Sequence, residues 1–240
     1  MKLLLMSDIH GNKNALDAVL ADLTEREIDA CALLGDLIDY GMHSNEVIEK
    51  ISSLPYPILC NICGNHESAV LNDEYARFSS ERGRDCARYT KSVLNSKSWD
   101  YIGRLSVEGK CEFTIDGKRC LAVHGSLKDN FWKSITVTDE LSDYSGYDYV
   151  FSGHSHLPHF FEKFFSCENV RTRNKKKTIF INPGSVGQPR NLNNFAQYAI
   201  FDTDSEEVVM KKVPYDIEDE QSAYNGQVDE FYKNRLKEGV

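Results

Sequence analysis

Residues 2–11 read K-L-L-L-M-S-D-I-H-G, an apolar run that ends in an aspartate and a histidine two positions apart. The run from Lys2 to Met6 predicts a buried strand, and residues 14–25 carry apolar side chains at helical spacing. Strands that alternate with helices form parallel sheets, and the functional sites of such sheets lie beyond the carboxyl ends of the strands. We therefore expect an α/β fold in which Asp8 and His10 belong to such a site.

Four more clusters of this kind follow along the chain. Each contains candidate metal ligands near glycine and follows an apolar run or, for the last cluster, a Tyr-rich run. Because neighbouring parallel strands end at the same edge of a sheet, we expect all five clusters to meet in one site. The candidate ligands are Asp36 in G-D-L-I-D-Y-G, Asn65 in C-G-N-H-E, His124 in V-H-G-S, and His154 and His156 in G-H-S-H.

Carboxylates, imidazoles and an amide oxygen are ligands that suit two neighbouring first-row divalent ions. Asp8 and His10 can chelate one ion, and the two oxygens of Asp36 can bridge that ion to a second. Asn65 offers an amide oxygen, His124 and His154 can complete the second ion, and His156 can return to the first. Pairs of bridged divalent ions are common in the active sites of enzymes that hydrolyse phosphate esters. Mn, Fe, Ni and Zn all fit this ligand set, so the identity of the ions stays open.

Two further residues are candidates for direct contact with a substrate. His66 follows Asn65 immediately, so its side chain points elsewhere, and we predict that it is a general acid for the leaving oxygen. Glu67 or a neighbouring carboxylate would hold its tautomer, and the alternative is a structural histidine beside the ligands. Arg190 ends the turn N-P-G-S-V-G-Q-P-R and can offer a guanidinium fork to a phosphate, the alternative being a surface arginine.

The chain has 240 residues, of which 41% are hydrophobic, and a formal net charge of -9. These values predict one domain over residues 1–240, with a polar, helix-prone insert at about 67–105 that roofs the site. An acidic protein is a poor candidate for binding duplex nucleic acid. One basic run is predicted to be a solvated hairpin loop, with a nucleic-acid patch as the alternative. It consists of Arg171, Arg173, Lys175, Lys176 and Lys177.

The first residues do not resemble an export signal, because only residues 3–6 are apolar before Ser7. Together with seven scattered cysteines and no transmembrane-length apolar run, this predicts a reduced, cytoplasmic protein without membrane contact. Cys60 and Cys63 form a C-x-x-C pair. We favour two buried thiols over a redox or zinc pair, since a zinc site needs a second pair. The sequence does not indicate an oligomeric state.

The second half of the chain reads mainly as strands. Residues 111–115 and 119–123 flank an Asp-Gly turn and predict a hairpin that leads to His124. The polar tail from Asp216 onward is predicted to be helical. Four later segments are expected to form an antiparallel second sheet, namely residues 158–165, 178–182, 196–202 and 208–213.

In order and spacing, the five clusters resemble the calcineurin-like metallophosphoesterase superfamily, and the likeness covers residues 1–213. The chain is most similar to the small bacterial and archaeal branch, which is related to phosphodiesterases and diadenosine tetraphosphatases. The resemblance implies a four-layer α/β/β/α sandwich with a small helical insert and a dinuclear site. It implies that His66 is the catalytic acid, that Arg190 lies near the substrate and that Asp36 bridges the metals. It assigns Asp8, His10 and His156 to one metal and Asn65, His124 and His154 to the other.

One position departs from the family pattern. Ser/Thr protein phosphatases carry a phosphate-binding arginine in the block G-D-x-x-D-R-G, and Tyr40 stands in its place here. This disfavours the alternative of a protein phosphatase. It favours a small phosphodiester or a nucleotide, including dinucleoside polyphosphates, with a base stacked on Tyr40 or on an aromatic residue of the insert. A non-catalytic, protein-binding scaffold of the same fold is a second alternative, disfavoured because His66 and all seven ligands are present.

Overall fold

Ten strands form two five-stranded sheets in the computed structural model, which describes all 240 residues. The first sheet contains, from edge to edge, β10 (Glu207–Val213), β9 (Ala196–Asp202), β1 (Lys2–Met6), β2 (Ala30–Leu33) and β3 (Ile58–Asn61). The second contains β4 (Lys110–Ile115), β5 (Lys118–Val123), β6 (Tyr149–Ser152), β8 (Lys175–Asn182) and β7 (His159–Ser166). Strands β1, β2 and β3 run parallel, as do β5, β6 and β8. Each parallel group therefore brings its carboxyl ends to one edge.

Seven α-helices and two 3-10 helices connect the strands. The first two α-helices follow the predicted βαβ pattern, the next three lie in the predicted insert, and the last two form the tail. The α-helices are α1 (Lys13–Asp22), α2 (Ser44–Ser52), α3 (Asn65–Asn72), α4 (Glu81–Val93), α5 (Ser96–Ile102), α6 (Ile217–Ser222) and α7 (Glu230–Glu238). The 3-10 helices are Ser142–Tyr144 and Val170–Thr172.

β1 lies at the centre of the first sheet and is buried on both faces. Leu4 and Met6 pack with Leu16 of α1, whereas Leu3 and Leu5 pack against the second sheet. Successive side chains of a strand point to opposite faces, so a strand between two layers requires the continuous apolar run seen in the sequence. Full burial of each leucine contributes about 1.5–3 kcal/mol of hydrophobic stabilisation.

The second sheet completes the sandwich. Phe151 packs against the first sheet, and Val150 and Phe180 lie in the cluster on the outer face. That outer face is covered by Leu141 and Tyr144, which belong to the segment around the first 3-10 helix. The predicted four-layer α/β/β/α sandwich is confirmed, and its fourth layer consists of this short 3-10 helix and irregular chain.

The prediction of an antiparallel second sheet from the last four strand segments was wrong in two respects. β9 and β10 belong to the first sheet, where β9 pairs antiparallel with β1 and places Phe201 beside Leu3. β8 pairs antiparallel with β7 but parallel with β6. An apolar pattern identifies a strand but not its partner, because either sheet offers β9 a similar apolar surface.

Three helices occupy the region expected to be the insert, and α3 begins slightly before it, at Asn65. The description of residues 1–240 as one domain with an insert at 67–105 stays a prediction. The basic run is only partly a loop, because residues 175–177 begin β8, where Lys177 pairs with Glu162. No helix of the protein has both the length and the apolar character needed to cross a bilayer.

Candidate metal centre

The seven predicted ligands lie together where strands of both sheets end. From the first sheet, Asp8 and His10 follow β1, Asp36 follows β2, and Asn65 begins α3 just after β3. The second sheet supplies the others from the opposite side: His124 follows β5, and His154 and His156 follow β6. The two parallel groups of strands therefore face each other across one buried cluster.

One group of donor atoms surrounds the space between Asp8, His10 and His156. The Nε2 atom of His156 lies 3.2 Å from Oδ1 of Asp8, and Nε2 of His10 lies 3.8 Å from the same oxygen. The two Nε2 atoms are 3.2 Å apart. Oδ1 of Asp8 is buried and accepts no hydrogen bond.

A second group lies around Asp36, His124 and His154. Oδ2 of Asp36 is 3.2 Å from Nε2 of His124, and Oδ1 of Asn65 is 2.9 Å from both that nitrogen and Nδ1 of His154. The same Asp36 oxygen lies 3.7 Å from Nε2 of His10, which belongs to the first group. Asp36 is therefore common to both groups.

In three histidines, the hydrogen bond made by Nδ1 determines that Nε2 faces the centre of the cluster. The Nδ1–H groups donate to main-chain carbonyls: His10 to Ile38, His124 to Leu34, and His156 to Gln188. When these rings are neutral their Nε2 lone pairs point inward, and the lone pairs of His10 and His156 then face each other at 3.2 Å. Converging lone pairs and an unpaired carboxylate oxygen repel one another unless a cation lies between them. The residues present therefore fit divalent metal ions.

The protonation of the cluster follows from burial and charge. Burial and the charge of His124 lower the pKa of His154 to about 4, and burial and Arg190 lower the pKa of His156 to about 4. Both are neutral at pH 7, as ligands must be. Burial opposes charge on His124 too, but Asp36 raises its pKa to about 9. A cation bound beside Asp36 would therefore replace the proton that His124 carries.

Five of the seven predicted ligands have left-handed backbone conformations. Their φ angles are between 50° and 63°, a backbone region that residues other than glycine rarely adopt. Such conformations cost of order 1–3 kcal/mol each and concentrate at functional sites. These residues are Asp8, His10, Asp36, His154 and His156. His154 and His156 both lie in the loop after β6, which ends at Ser152.

His66 lies beside the cluster, and its ring is oriented by Asp39. Nδ1 of His66 lies 2.6 Å from Oδ2 of Asp39, and the other oxygen of Asp39 accepts a 2.8 Å hydrogen bond from the Thr90 hydroxyl of α4. Nε2 of His66 lies 3.9 Å from Oδ2 of Asp36. Burial opposes charge on the ring, but Asp36 and Asp39 raise the pKa of His66.

The sequence did not distinguish Asp39 from Glu67 as the partner of His66, and the structure does. Glu67 is fully buried and accepts four main-chain N–H groups instead, at 2.6–3.1 Å. The donors are Asp36, Leu37, Ile38 and Gly64. Asp39 was identifiable only as the second aspartate of G-D-L-I-D-Y-G. Glu67 therefore shapes the loop that presents Asp36, and Asp39 shapes the position of His66.

Replacing Glu67 with alanine is expected to destabilise the protein by at least about 3 kcal/mol, since each buried N–H left without an acceptor costs about 1–3 kcal/mol. The measurement is the free energy of unfolding in urea. Glu49→Ala is the matched control, because Glu49 is exposed on α2 and should change stability by no more than about 0.5 kcal/mol. Equal stability losses in the two variants would contradict the role assigned to Glu67.

Tyr40 forms a wall of the site but offers no open ring face. It is 9% exposed, and its ring centroid lies 4.5 Å from that of Tyr232 on α7, with the rings stacked. The ring centroids of His10 and His66 lie 4.6 and 4.4 Å from that of Tyr40. A substrate base could stack on Tyr40 only if α7 moved. The prediction that Tyr40 contacts the substrate stays untested, and stacking in particular is disfavoured by this packing.

Arg190 lies at the edge of the cluster. It lies two residues after Gln188, whose carbonyl accepts from Nδ1 of His156, and its charge contributes to the lowered pKa values of His10 and His156. Its Nε atom is buried and has no hydrogen-bond partner. The guanidinium forms no hydrogen bond or salt bridge within the protein, so its donors are available to a phosphate. His43 and His159 lie outside the cluster, His43 pairing with Glu220 and His159 beginning β7.

Comparisons with known proteins agree with this geometry. Residues 1–206 match the model of the calcineurin-like phosphoesterase superfamily domain. The chain is 34% identical to the protein MJ0912 of Methanocaldococcus jannaschii, over 97% of this chain and 93% of that protein. The crystal structure of a metallophosphoesterase from Sphaerobacter thermophilus is 29% identical, with a TM-score of 0.76 and full coverage of both chains. Protein PH1004 from Pyrococcus horikoshii OT3 is 20% identical, with a TM-score of 0.82 over 100% of this chain and 98% of that one, a likeness of fold.

Proposed function

Because the chain belongs to the calcineurin-like phosphoesterase superfamily, we propose that it hydrolyses small phosphodiesters or nucleotides, including dinucleoside polyphosphates, in a reaction that depends on two divalent metal ions. The observation that carries the proposal is the convergence of buried carboxylate, imidazole and amide acceptors on Asp36. The ligand set is compatible with Mn, Fe, Ni or Zn.

Each group of donors would hold one ion. Asp8, His10 and His156 belong to the first, and Asn65, His124 and His154 belong to the second, with Asp36 between them. When bound, two such ions polarise the phosphorus–oxygen bonds and supply hydroxide at neutral pH. With only two carboxylates among the ligands, two dications leave the site positively charged, which attracts phosphate into an acidic protein.

The chain's own residues would bind the substrate and deliver a proton. His66 donates the proton on Nε2 to the departing oxygen, while Asp39 holds its Nδ1–H and so fixes the ring. Arg190 pairs with a phosphoryl oxygen that does not react. Tyr40 occupies the position of the phosphate-binding arginine of protein phosphatases, which supports a diester or nucleotide over a phosphoprotein.

A substrate panel tests the proposal. The purified protein, loaded in turn with Mn, Fe, Ni and Zn, is assayed with bis(p-nitrophenyl) phosphate, p-nitrophenyl phosphate, a cyclic nucleotide, a dinucleoside tetraphosphate and a phosphoserine peptide. We expect hydrolysis that a chelator abolishes, with kcat/KM highest for a diester or the dinucleoside compound. A higher kcat/KM for the phosphopeptide would favour a protein phosphatase, and no hydrolysis with any ion would overturn the proposal.

A further inference from the structure

The turn that follows β8 is buried beside the candidate metal centre. Residues 182–188 read N-P-G-S-V-G-Q, and the polar residues Asn182 and Ser185 are at most 1% exposed. Buried polar groups need hydrogen-bond partners, so those partners show what the turn holds in place. Asn182 donates to the carbonyl of Gly153 at 2.8 Å, at the start of the loop after β6. Ser185 makes a different pair of hydrogen bonds.

The turn is fastened to the segment that carries Asp8. The Ser185 hydroxyl donates to the main-chain carbonyl of Asp8 at 2.7 Å, and the N–H of Gly187 donates to the same oxygen at 3.1 Å. A Cβ atom at position 187 would lie 1.8 Å from the carbonyl oxygen of Ile9, so this close contact requires glycine. The turn and the end of β1 are therefore held in direct contact.

The same hydroxyl also determines the position of His156. It accepts a hydrogen bond from the main-chain N–H of Gln188 at 2.8 Å, and the carbonyl of Gln188 accepts from Nδ1–H of His156 at 2.5 Å. Pro189 follows Gln188 and disfavours helical conformations of its backbone. A chain of buried hydrogen bonds therefore links Asp8 to His156 through the Ser185 hydroxyl.

Ser185 acts as a donor and as an acceptor, and the two roles are not equally replaceable. Without the hydroxyl, the Asp8 carbonyl would keep the N–H of Gly187, but the buried N–H of Gln188 would lose its acceptor. A buried N–H without an acceptor is unfavourable. The backbone of Gln188 would therefore shift, and with it the carbonyl that orients His156.

The second group of donors is oriented from elsewhere in the protein. Nδ1 of His124 donates to the carbonyl of Leu34 at 2.7 Å, and Asn65 lies at the start of α3. The hydrogen bonds of the Ser185 hydroxyl lead instead to Asp8 and His156, which both belong to the first group. Its removal should therefore disturb one group of donors and spare the other.

We propose that Ser185 is a positioning residue of the metal centre, which fixes Asp8 and His156 for the first ion and leaves the ligands of the second ion unchanged. This inference rests on the proposed function, because that proposal assigns one ion to each group of donors. Replacing a residue that orients metal ligands typically weakens metal binding by about 10- to 100-fold. The expected effect therefore falls on the binding of one ion.

Cobalt(II) titration of the metal-free protein tests the inference, because the visible absorption of cobalt reports on its ligands. We expect two binding steps in the wild type. Ser185→Ala should raise the Kd of one step by about 10- to 100-fold and leave the other unchanged. His156→Ala and His154→Ala identify the steps, since His156 belongs to the first group and His154 to the second. The step that Ser185→Ala weakens should be the one that His156→Ala weakens.

Thr178→Val is the matched control, because it also removes a buried hydroxyl from the region of β8. The Thr178 hydroxyl donates to the carbonyl of Tyr147 at 2.6 Å, and Tyr147 lies just before β6, at the opposite end of that strand from His154. This variant should lose stability in urea, as Ser185→Ala should, but bind cobalt as the wild type does. If Ser185→Ala weakens both steps equally or neither, or if Thr178→Val weakens cobalt binding as much, Ser185 supports only the fold and the inference is overturned.

A measurement without metal separates this inference from the proposed function. In metal-free protein with nitrogen-15-labelled histidine, NMR follows the exchange of each Nδ1 proton with water. The proton of His156 should exchange faster in Ser185→Ala than in the wild type, whereas that of His124 should not change. An unchanged rate for His156 would overturn the inference. A wild type that binds no cobalt or hydrolyses no substrate would instead contradict the proposed function, and the exchange rate would still decide whether Ser185 positions His156.

Discussion

Replacing Asp36 with asparagine is expected to lower both metal content and hydrolysis, the rate by on the order of 10³-fold or more. Its carboxylate lies between the two groups of donors, with Oδ2 3.2 Å from His124 and 3.7 Å from His10. An amide removes the negative charge that would join two dications. The loss of Lewis-acid stabilisation worth several kcal/mol accounts for that factor, since each 1.36 kcal/mol changes a rate tenfold.

Elemental analysis and kcat measured on the same samples check this expectation. Asp17→Asn is a suitable control, because Asp17 pairs with Lys13 and Lys50 on the surface, outside the centre. It should retain full metal content and activity. If reconstituted wild-type protein holds less than one divalent ion per chain, the dinuclear assignment is wrong. If Asp36→Asn still holds two ions, Asp36 is not the residue that joins them.

Replacing His66 with alanine should leave the metal content unchanged and lower kcat by about 10²–10⁴-fold, the usual contribution of a positioned general acid. The loss should depend on the substrate. A nitrophenolate leaves without a proton, so its reaction should suffer less than that of an alkyl ester or a nucleotide. Asp39→Asn should lower kcat in the same direction but by less, because it removes the group 2.6 Å from Nδ1 while leaving the ring in place.

The dependence of kcat on the leaving group distinguishes a catalytic role of His66 from a structural one. Measuring kcat for a series of aryl and alkyl diesters with the wild type and both variants gives the dependence on leaving-group basicity. A general acid flattens that dependence, and its removal should steepen it. An equal loss across the series would show that His66 acts by positioning the neighbouring donors instead.

Much of the sheet and the candidate site could be predicted because the signals are local. The apolar run of β1 is buried on both faces, and the polar residues after β1, β2, β5 and β6 mark strand ends directly. The partner of β9 was not predictable, since pairing with β1 joins residues about 200 positions apart by an apolar surface that other strands share. Neither was the choice between Asp39 and Glu67, because both lie within a few residues of a ligand and only the fold orients them.

Arg235 shows a further limit of prediction from the sequence. It lies on a polar tail helix with no motif around it, and only the docking of α7 onto the loop at residues 192–194 brings it near Tyr40. A lone arginine on a predicted surface helix looks like any solvated charge. Its position near Tyr40 is evident only from the coordinates.

The division of the donors between the two sheets has a mechanical consequence. Asp8 and Asp36 extend from the first sheet, whereas His124, His154 and His156 extend from the second. An ion held by Asp8 and His156 would close a loop of well over a hundred residues, and long closed loops restrict the unfolded chain most. Ions would then act as reversible cross-links that fasten the two halves of the sandwich. Chelation should therefore loosen hydrogen-exchange protection in both sheets at once, so that retaining the ligands would preserve the fold as well as the chemistry.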